Sequence, residues 1–210
     1  MAEYAVGNID DLAMVLSRVE RCPTAFVVRG RPIARIDRNN ALRRVVPRKN
    51  KDGTVEHATL EAAPRHWIAL DFDSIECPSW LDPVHEPDQT VELLVSKMPD
   101  EFHGATCRWQ FTSGQQIKPG IRMRLFFWSD RPLADWELKD WLGEQLPKAN
   151  TPKHQWPRRY PVDPSIFAPG QPIHVAQPLF QGMPDPVPIR SGIWRGDRDS
   201  ITAPLIVRPV

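Results

Sequence analysis

The sequence predicts an α+β fold: a mostly antiparallel sheet backed by helices, followed by an extended, proline-rich C-terminal region. Three observations carry that expectation. Apolar runs at residues 66–74 and 121–128 alternate with the period of two that strands require. Residues 88–98 and 133–146 instead repeat apolar side chains at helical spacing. Thirteen of the 23 prolines fall from Pro147 onward. Each removes a backbone donor and disfavours helix at the residue before it.

In chain order, Asn8 is placed to cap a first helix, with Asp11 three residues later at its positive end. Ile9, Leu12, Leu16 and Val19 form its apolar stripe. Thr24–Val28 reads as a short strand. Residues 29–57 are basic and turn-rich, with seven arginines and a loop at Lys49-Asn50-Lys51-Asp52-Gly53. They read either as a nucleic-acid contact or as a solvated loop. A strand over 66–74, a proline-rich loop over 78–87 and a helix over 88–98 follow. Residues 105–113 and 121–128 then form a hairpin around the loop 114–120, and 133–146 a last helix. The domain expected is a single one over 1–210, with an N-terminal part (1–60), a core (61–180) and an extended end (181–210). Ile166, Phe167, Ile173, Val175, Leu179, Phe180, Ile189 and Trp194 argue that the proline-rich part packs on the body and is not disordered.

Composition narrows the function classes. The chain has 210 residues, 41% hydrophobic and 25% charged, ordinary for a globular protein. A net charge of +1 gives no global basic field, so nucleic-acid binding must come from local patches. Cys22, Cys77 and Cys107 are few, odd in number and scattered. They make no disulfide framework and fit a reducing compartment. No signal peptide or membrane span is apparent, so the expectation is a soluble, cytoplasmic protein with no membrane partner.

The chemistry concentrates at Ile68-Ala69-Leu70-Asp71-Phe72-Asp73. In a strand, Ile68, Leu70 and Phe72 face a core while Asp71 and Asp73 share the opposite face, with Cα atoms roughly 6.6 Å apart. Two like charges so placed repel unless cations bridge them. A hard divalent ion, Mg²⁺ or Mn²⁺, takes such oxygen ligands, and two-metal phosphoryl transfer uses such a site. The alternative is a solvated acidic strand end. In the later strand, Arg122 and Arg124 share the face opposite Ile121, Met123, Leu125 and Phe127, a fork suited to phosphates. The preceding loop adds Ser113, Gly114 and Lys118, the glycine permitting close backbone approach to a phosphate. Asp163, in Val162-Asp163-Pro164, is the candidate third acidic ligand. His174 alternates with Ile173 and Val175 in a possible strand. Cys77, His85, His103 and Cys107 do not have the spacing of a usual zinc site.

These motifs, in this order, resemble the archaeo-eukaryotic primase superfamily, in particular primase-polymerase domains of plasmid, phage and integrated-element replication proteins. The apolar strand ending in Asp71-Phe72-Asp73 is similar to that family's first motif, and Val162-Asp163 to its third. The second motif departs: no histidine stands near Ser113-Gly114, and Arg124 is the candidate for the phosphate contact there. The resemblance spans roughly residues 67–177. It implies an RRM-like sheet with flanking helices and a two-metal site of Asp71, Asp73 and Asp163. It also implies nucleoside triphosphates as substrates, a single-stranded DNA template and a replicative helicase as partner, although no Gly-x-x-x-x-Gly-Lys-Ser/Thr loop is present. Two other readings stand beside it. One is a non-catalytic replication-initiator module that binds nucleic acid. The other is a haloacid-dehalogenase-like phosphatase, which needs a parallel sheet and a later acidic pair.

Overall fold

A computed structural model describes residues 1–34, 36–37, 39, 44–143 and 159–207. Helix α1 (Ile9–Glu20) begins where the sequence expects it. The Asn8 Oδ1 accepts from the Asp11 amide at 2.8 Å, and Asp11 in turn accepts from the Gly7 amide at 3.0 Å. Ile9, Leu12, Ala13 and Leu16 form the buried face. Two short antiparallel ribbons follow, pairing β1 (Arg31–Pro32) with β4 (Leu60–Glu61) and β2 (Arg48–Lys49) with β3 (Val55–Glu56).

The body is a four-stranded sheet of β5 (Arg65–Ile75), β6 (Cys107–Phe111), β7 (Ile121–Leu133) and β8 (Ser191–Trp194), ordered β5-β7-β6-β8. Every neighbouring pair is antiparallel. Helix α2 (Pro87–Val95) links β5 to β6, and α3 (Asp135–Leu142) follows β7. The fold is therefore mixed α and β, as expected, with helices flanking an antiparallel sheet. The haloacid-dehalogenase reading required a parallel sheet and fails here.

The larger part of the core lies on one sheet face. Ile68, Leu70, Phe72, Cys107, Trp109, Phe111, Met123, Leu125 and Phe127 are all buried, against Val91 and Leu94 of α2 and Leu138 and Trp141 of α3. Phe102 joins the layers, edge-on to Phe127 (5.0 Å) and stacked on Trp141 (5.2 Å). The described part of the C-terminal region contributes to the core. Residues 159–207 hold one 3-10 turn (Pro164–Phe167) and β8 between irregular segments. They bury Val162, Ile166, Phe167, Ile173, Val175, Val187 and Ile201.

Several local expectations change. Thr24–Val28 is not a strand; it contributes one bridge, Val27 to Ile173. The stretch around His174 shares that bridge and forms no longer strand. β7 runs five residues past Trp128, through Pro132, because the partner strand shifts register there: Trp67 faces Trp128 while Arg65 faces Leu133. Arg29 fills the gap. Its guanidinium donates to the carbonyls of Trp67 (2.5 Å) and Leu133 (2.9 Å). Burial lowers its pKa to about 10. Arg29 is thus an internal staple and no part of a basic surface. Arg35, Arg38 and Arg43 of the predicted basic stretch, and residues 144–146 of the predicted last helix, lie outside the described residues.

Candidate active site

The other sheet face carries the polar side chains beside the buried Ala69 and Phe126, and strand register assembles them. Asp71 pairs with Arg124 across β5 and β7, and Arg124 with Gln110 across β7 and β6. Residues directly opposite in antiparallel strands share a face. Asp71, Asp73, Arg122, Arg124, Gln110 and Arg108 therefore project together.

The two aspartates meet the two arginines. Arg124 grips Asp71 with two bonds, Nε to Oδ1 at 3.2 Å and Nη2 to Oδ2 at 2.9 Å. Arg122 reaches Asp73 Oδ1 at 2.9 Å and also bonds the Ser74 hydroxyl. The repulsion expected between Asp71 and Asp73 is thus offset by cross-strand cations. Asp73 is half exposed, whereas Asp71 is mostly covered. Burial pushes the Asp71 carboxyl above its ordinary range. Arg124 pulls it back down, and the charges of Asp73 and Asp163 push it up again.

The loop between β6 and β7 closes one side. The Gln115 side chain is buried and accepts from the Arg122 amide at 2.8 Å. The Ile117 and Lys118 amides both donate to the Gly114 carbonyl, at 3.1 and 2.9 Å. Among the described residues, the amides of Ser113 and Gly114 find no acceptor. A Cβ on Gly114 would lie 2.8 Å from Arg122 Cδ, so glycine lets that arginine pass beneath the loop. At Gly120, with φ of +80°, a Cβ would lie 2.8 Å from the Ser74 carbonyl carbon. This close approach fits the register shift between Phe72 and Ile75, where Ser74 itself has φ of +60°.

Together these residues line a cleft of about 290 Å³: Asp71, Asp73, Ser113, Gly114, Lys118, Arg122 and Arg124, with Thr112 and Ile117. All seven sequence candidates named there were separated by up to about 50 residues. The remaining two, Asp163 and His174, lie outside that lining and are tied to it by backbone bonds. The Asp163 amide donates to the Asp71 carbonyl at 3.0 Å, and Arg124 Nη1 donates to the His174 carbonyl at 2.9 Å. The Asp163 carboxylate caps its own 3-10 turn through the Ser165 amide and hydroxyl, both at 2.9 Å. His174 is exposed and is joined to Arg124 through its backbone, not its ring.

The loop's hydroxyls and amides were legible as phosphate ligands, which covers Thr112 and Gln115, but Gln115 is buried and not exposed as expected. Ile117 and Ser74 were not singled out as site residues, although Ser74 stands directly after the acidic pair at the strand's end. The cysteine and histidine set stays apart from all this. Cys107 is fully buried in β6, and His85 and His103 lie against Asp82 and Asp100. Among the described residues, no group of three or more His, Cys, Asp or Glu side chains converges to hold a metal ion. At Asp71, Asp73 and Asp163 the reason is visible: two carboxylates turn to arginines and the third to Ser165. Their chemistry still suits a hard cation, because carboxylate oxygens are its ligands and the charges of Asp73 and Asp163 both reach Asp71. No helix among the described residues is long and apolar enough to cross a membrane. Comparison with protein-family models, with curated proteins and with solved structures finds no match.

Proposed function

We propose that this chain is a metal-dependent nucleotidyltransferase of the primase-polymerase kind, joining nucleoside triphosphates on a single-stranded DNA template in the replication of a plasmid, phage or mobile element. One observation carries the reading: a pair of carboxylates and a set of phosphate-type ligands line the same small cleft. Phosphoryl transfer to a nucleotide needs both, metal to draw off charge and cationic donors to hold the phosphates. The unit β5-α2-β6-β7 also has the split βαβ order of an RRM-like core. β8 departs from it by joining the β6 edge instead of the β5 edge.

In this reading Asp71 and Asp73, with Asp163 beside them, hold Mg²⁺ or Mn²⁺. The ion supplies Lewis-acid stabilisation of the transferring phosphoryl group. Lys118 acts as a mobile point charge at the cleft mouth, and the Ser113 and Gly114 amides offer donors to phosphate oxygens. Arg122 and Arg124 pass from carboxylate to phosphate partners as the nucleotide arrives, so neither ion is left unpaired. The His174 carbonyl helps to position Arg124. A replicative helicase is the expected partner and the cytoplasm the expected compartment.

The aspartate–arginine pairing itself favours a second reading, a non-catalytic replication-initiator module in which the arginines neutralise vestigial acids. Incubation with single-stranded DNA, Mn²⁺ or Mg²⁺ and labelled nucleotides separates the two. New oligonucleotides without an added primer are the primase result. Extension of an added primer alone indicates a polymerase. No incorporation under either condition favours the module.

A further inference from the structure

We infer that Phe26 and His174 form a stacking ledge for the base of the nucleotide whose phosphates occupy the cleft; this rests on the function proposed above. Four observations converge. The cleft, at about 290 Å³, lies at the lower end of small-molecule pockets, so a triphosphate fills it and the base must lie outside. The His174 backbone lies one guanidinium away from Asp71, because Arg124 bonds both. The bridge between Val27 and Ile173, closed by bonds of 3.0 and 2.8 Å, sets Phe26 directly opposite His174. Finally, Ile173 and Val175 are buried, so alternation turns His174 outward, and Phe26 is 41% exposed.

The two rings lie 5.7 Å apart at 59°, within the range of favourable aromatic pairs. An exposed aromatic pair anchored by backbone bonds costs little entropy to present, and any base has a π-face to place on it. The ledge therefore contributes affinity without choosing among bases. It acts on the nucleoside half of the ligand and leaves the phosphate half to Arg122, Arg124 and Lys118.

The test compares two probes by calorimetry in the presence of Mg²⁺: dATP, which has a base, and inorganic tripolyphosphate, which has none. Phe26→Ala weakens dATP binding about 5- to 100-fold and leaves tripolyphosphate binding unchanged. His174→Ala acts in the same direction, and Phe26→Tyr keeps wild-type affinity. Phe26 is exposed enough that its truncation spares the core, and an unchanged thermal midpoint confirms this. Wild-type dATP affinity in Phe26→Ala overturns the ledge and leaves the proposed function standing. Equal loss of both probes also overturns it, since the pair would then only support Arg124. Weakened binding of an oligothymidylate with dATP affinity intact assigns the pair to the template and overturns it as well. If the wild type binds neither probe, the cleft does not hold nucleotides, and both readings fall.

Discussion

One face of the sheet carries two arginine–carboxylate assemblies that differ in what covers them. At the β6–β8 end, Arg108 pairs with Glu20 at 2.6 Å, and both side chains are almost wholly buried. Ser191 donates to Glu20 at 2.9 Å, Arg108 reaches Ser191 at 3.2 Å, and Gln110 donates to the Val175 carbonyl at 2.7 Å. At the β5–β7 end, Arg124–Asp71 and Arg122–Asp73 have the same chemistry, but they line an open cleft. Helix α1 supplies Glu20 and seals the first assembly; nothing among the described residues seals the second. A sealed pair has no access to a ligand and serves the fold. An open pair beside uncommitted amides and a lysine is where chemistry is possible.

Variants on each side break or sharpen that difference. The largest effect on stability belongs to Glu20→Ala. It strands Arg108, whose pKa burial already lowers, without its counter-ion. The cost is about 3–5 kcal/mol, read as a lower urea midpoint. A cost under about 1 kcal/mol would mean that the sealed pair is not structural. Next comes Arg124→Ala, which removes a charge-assisted contact to nucleotide worth roughly 1.5–3 kcal/mol, about ten- to a hundredfold in affinity. Arg122→Ala behaves alike. If single-stranded DNA binding drops in these variants while nucleotide affinity holds, the arginines grip the template backbone instead.

A smaller, pH-dependent effect distinguishes two carboxylates. Burial raises the Asp71 pKa above its ordinary 3.8, whereas the Arg190 hydrogen bond lowers that of Asp185 below 3.8. Native Asp71 takes up a proton more readily than the unfolded chain does. Its contribution to stability therefore falls as pH rises from 3.8 through its raised folded value. Asp185 contributes stability above 3.8 that is lost as pH falls through its depressed value. Urea midpoints across pH thus show Asp71→Asn gaining on the wild type as pH rises, and Asp185→Asn falling further behind it. The reverse trend for Asp71 would show that Arg124 outweighs burial. The smallest effect is that of Asp73→Asn on stability, about 0–1 kcal/mol, since its pair with Arg122 is half exposed.

Much of the open end was legible in the sequence, and little of the sealed end was. Period-two alternation alone put Asp71 with Asp73 and Arg122 with Arg124 on common faces. It gave no register, so the sequence reading aimed the arginines at phosphate and missed the cross-strand pairing. Arg108 and Gln110 alternate with Cys107, Trp109 and Phe111 in the same manner, but their partner Glu20 lies in another element, and nothing local announces it. Arg29 hid for a similar reason. Among neighbouring arginines it reads as surface, whereas a register shift 38 residues away makes it internal. Asp163 was proposed from the need for a third acid, and its amide bond to the Asp71 carbonyl joins segments no local pattern links.

Labelled-nucleotide incorporation on single-stranded DNA with Mn²⁺, measured side by side for the wild type, Asp71→Asn and Asp73→Asn, decides whether the open end is catalytic. Both substitutions keep the side chain's size, and folding is checked by thermal midpoint. Incorporation by the wild type and its loss in both folded variants is the expected result. Absence of incorporation by the wild type, or full incorporation by either variant, would contradict a catalytic role for the acidic pair.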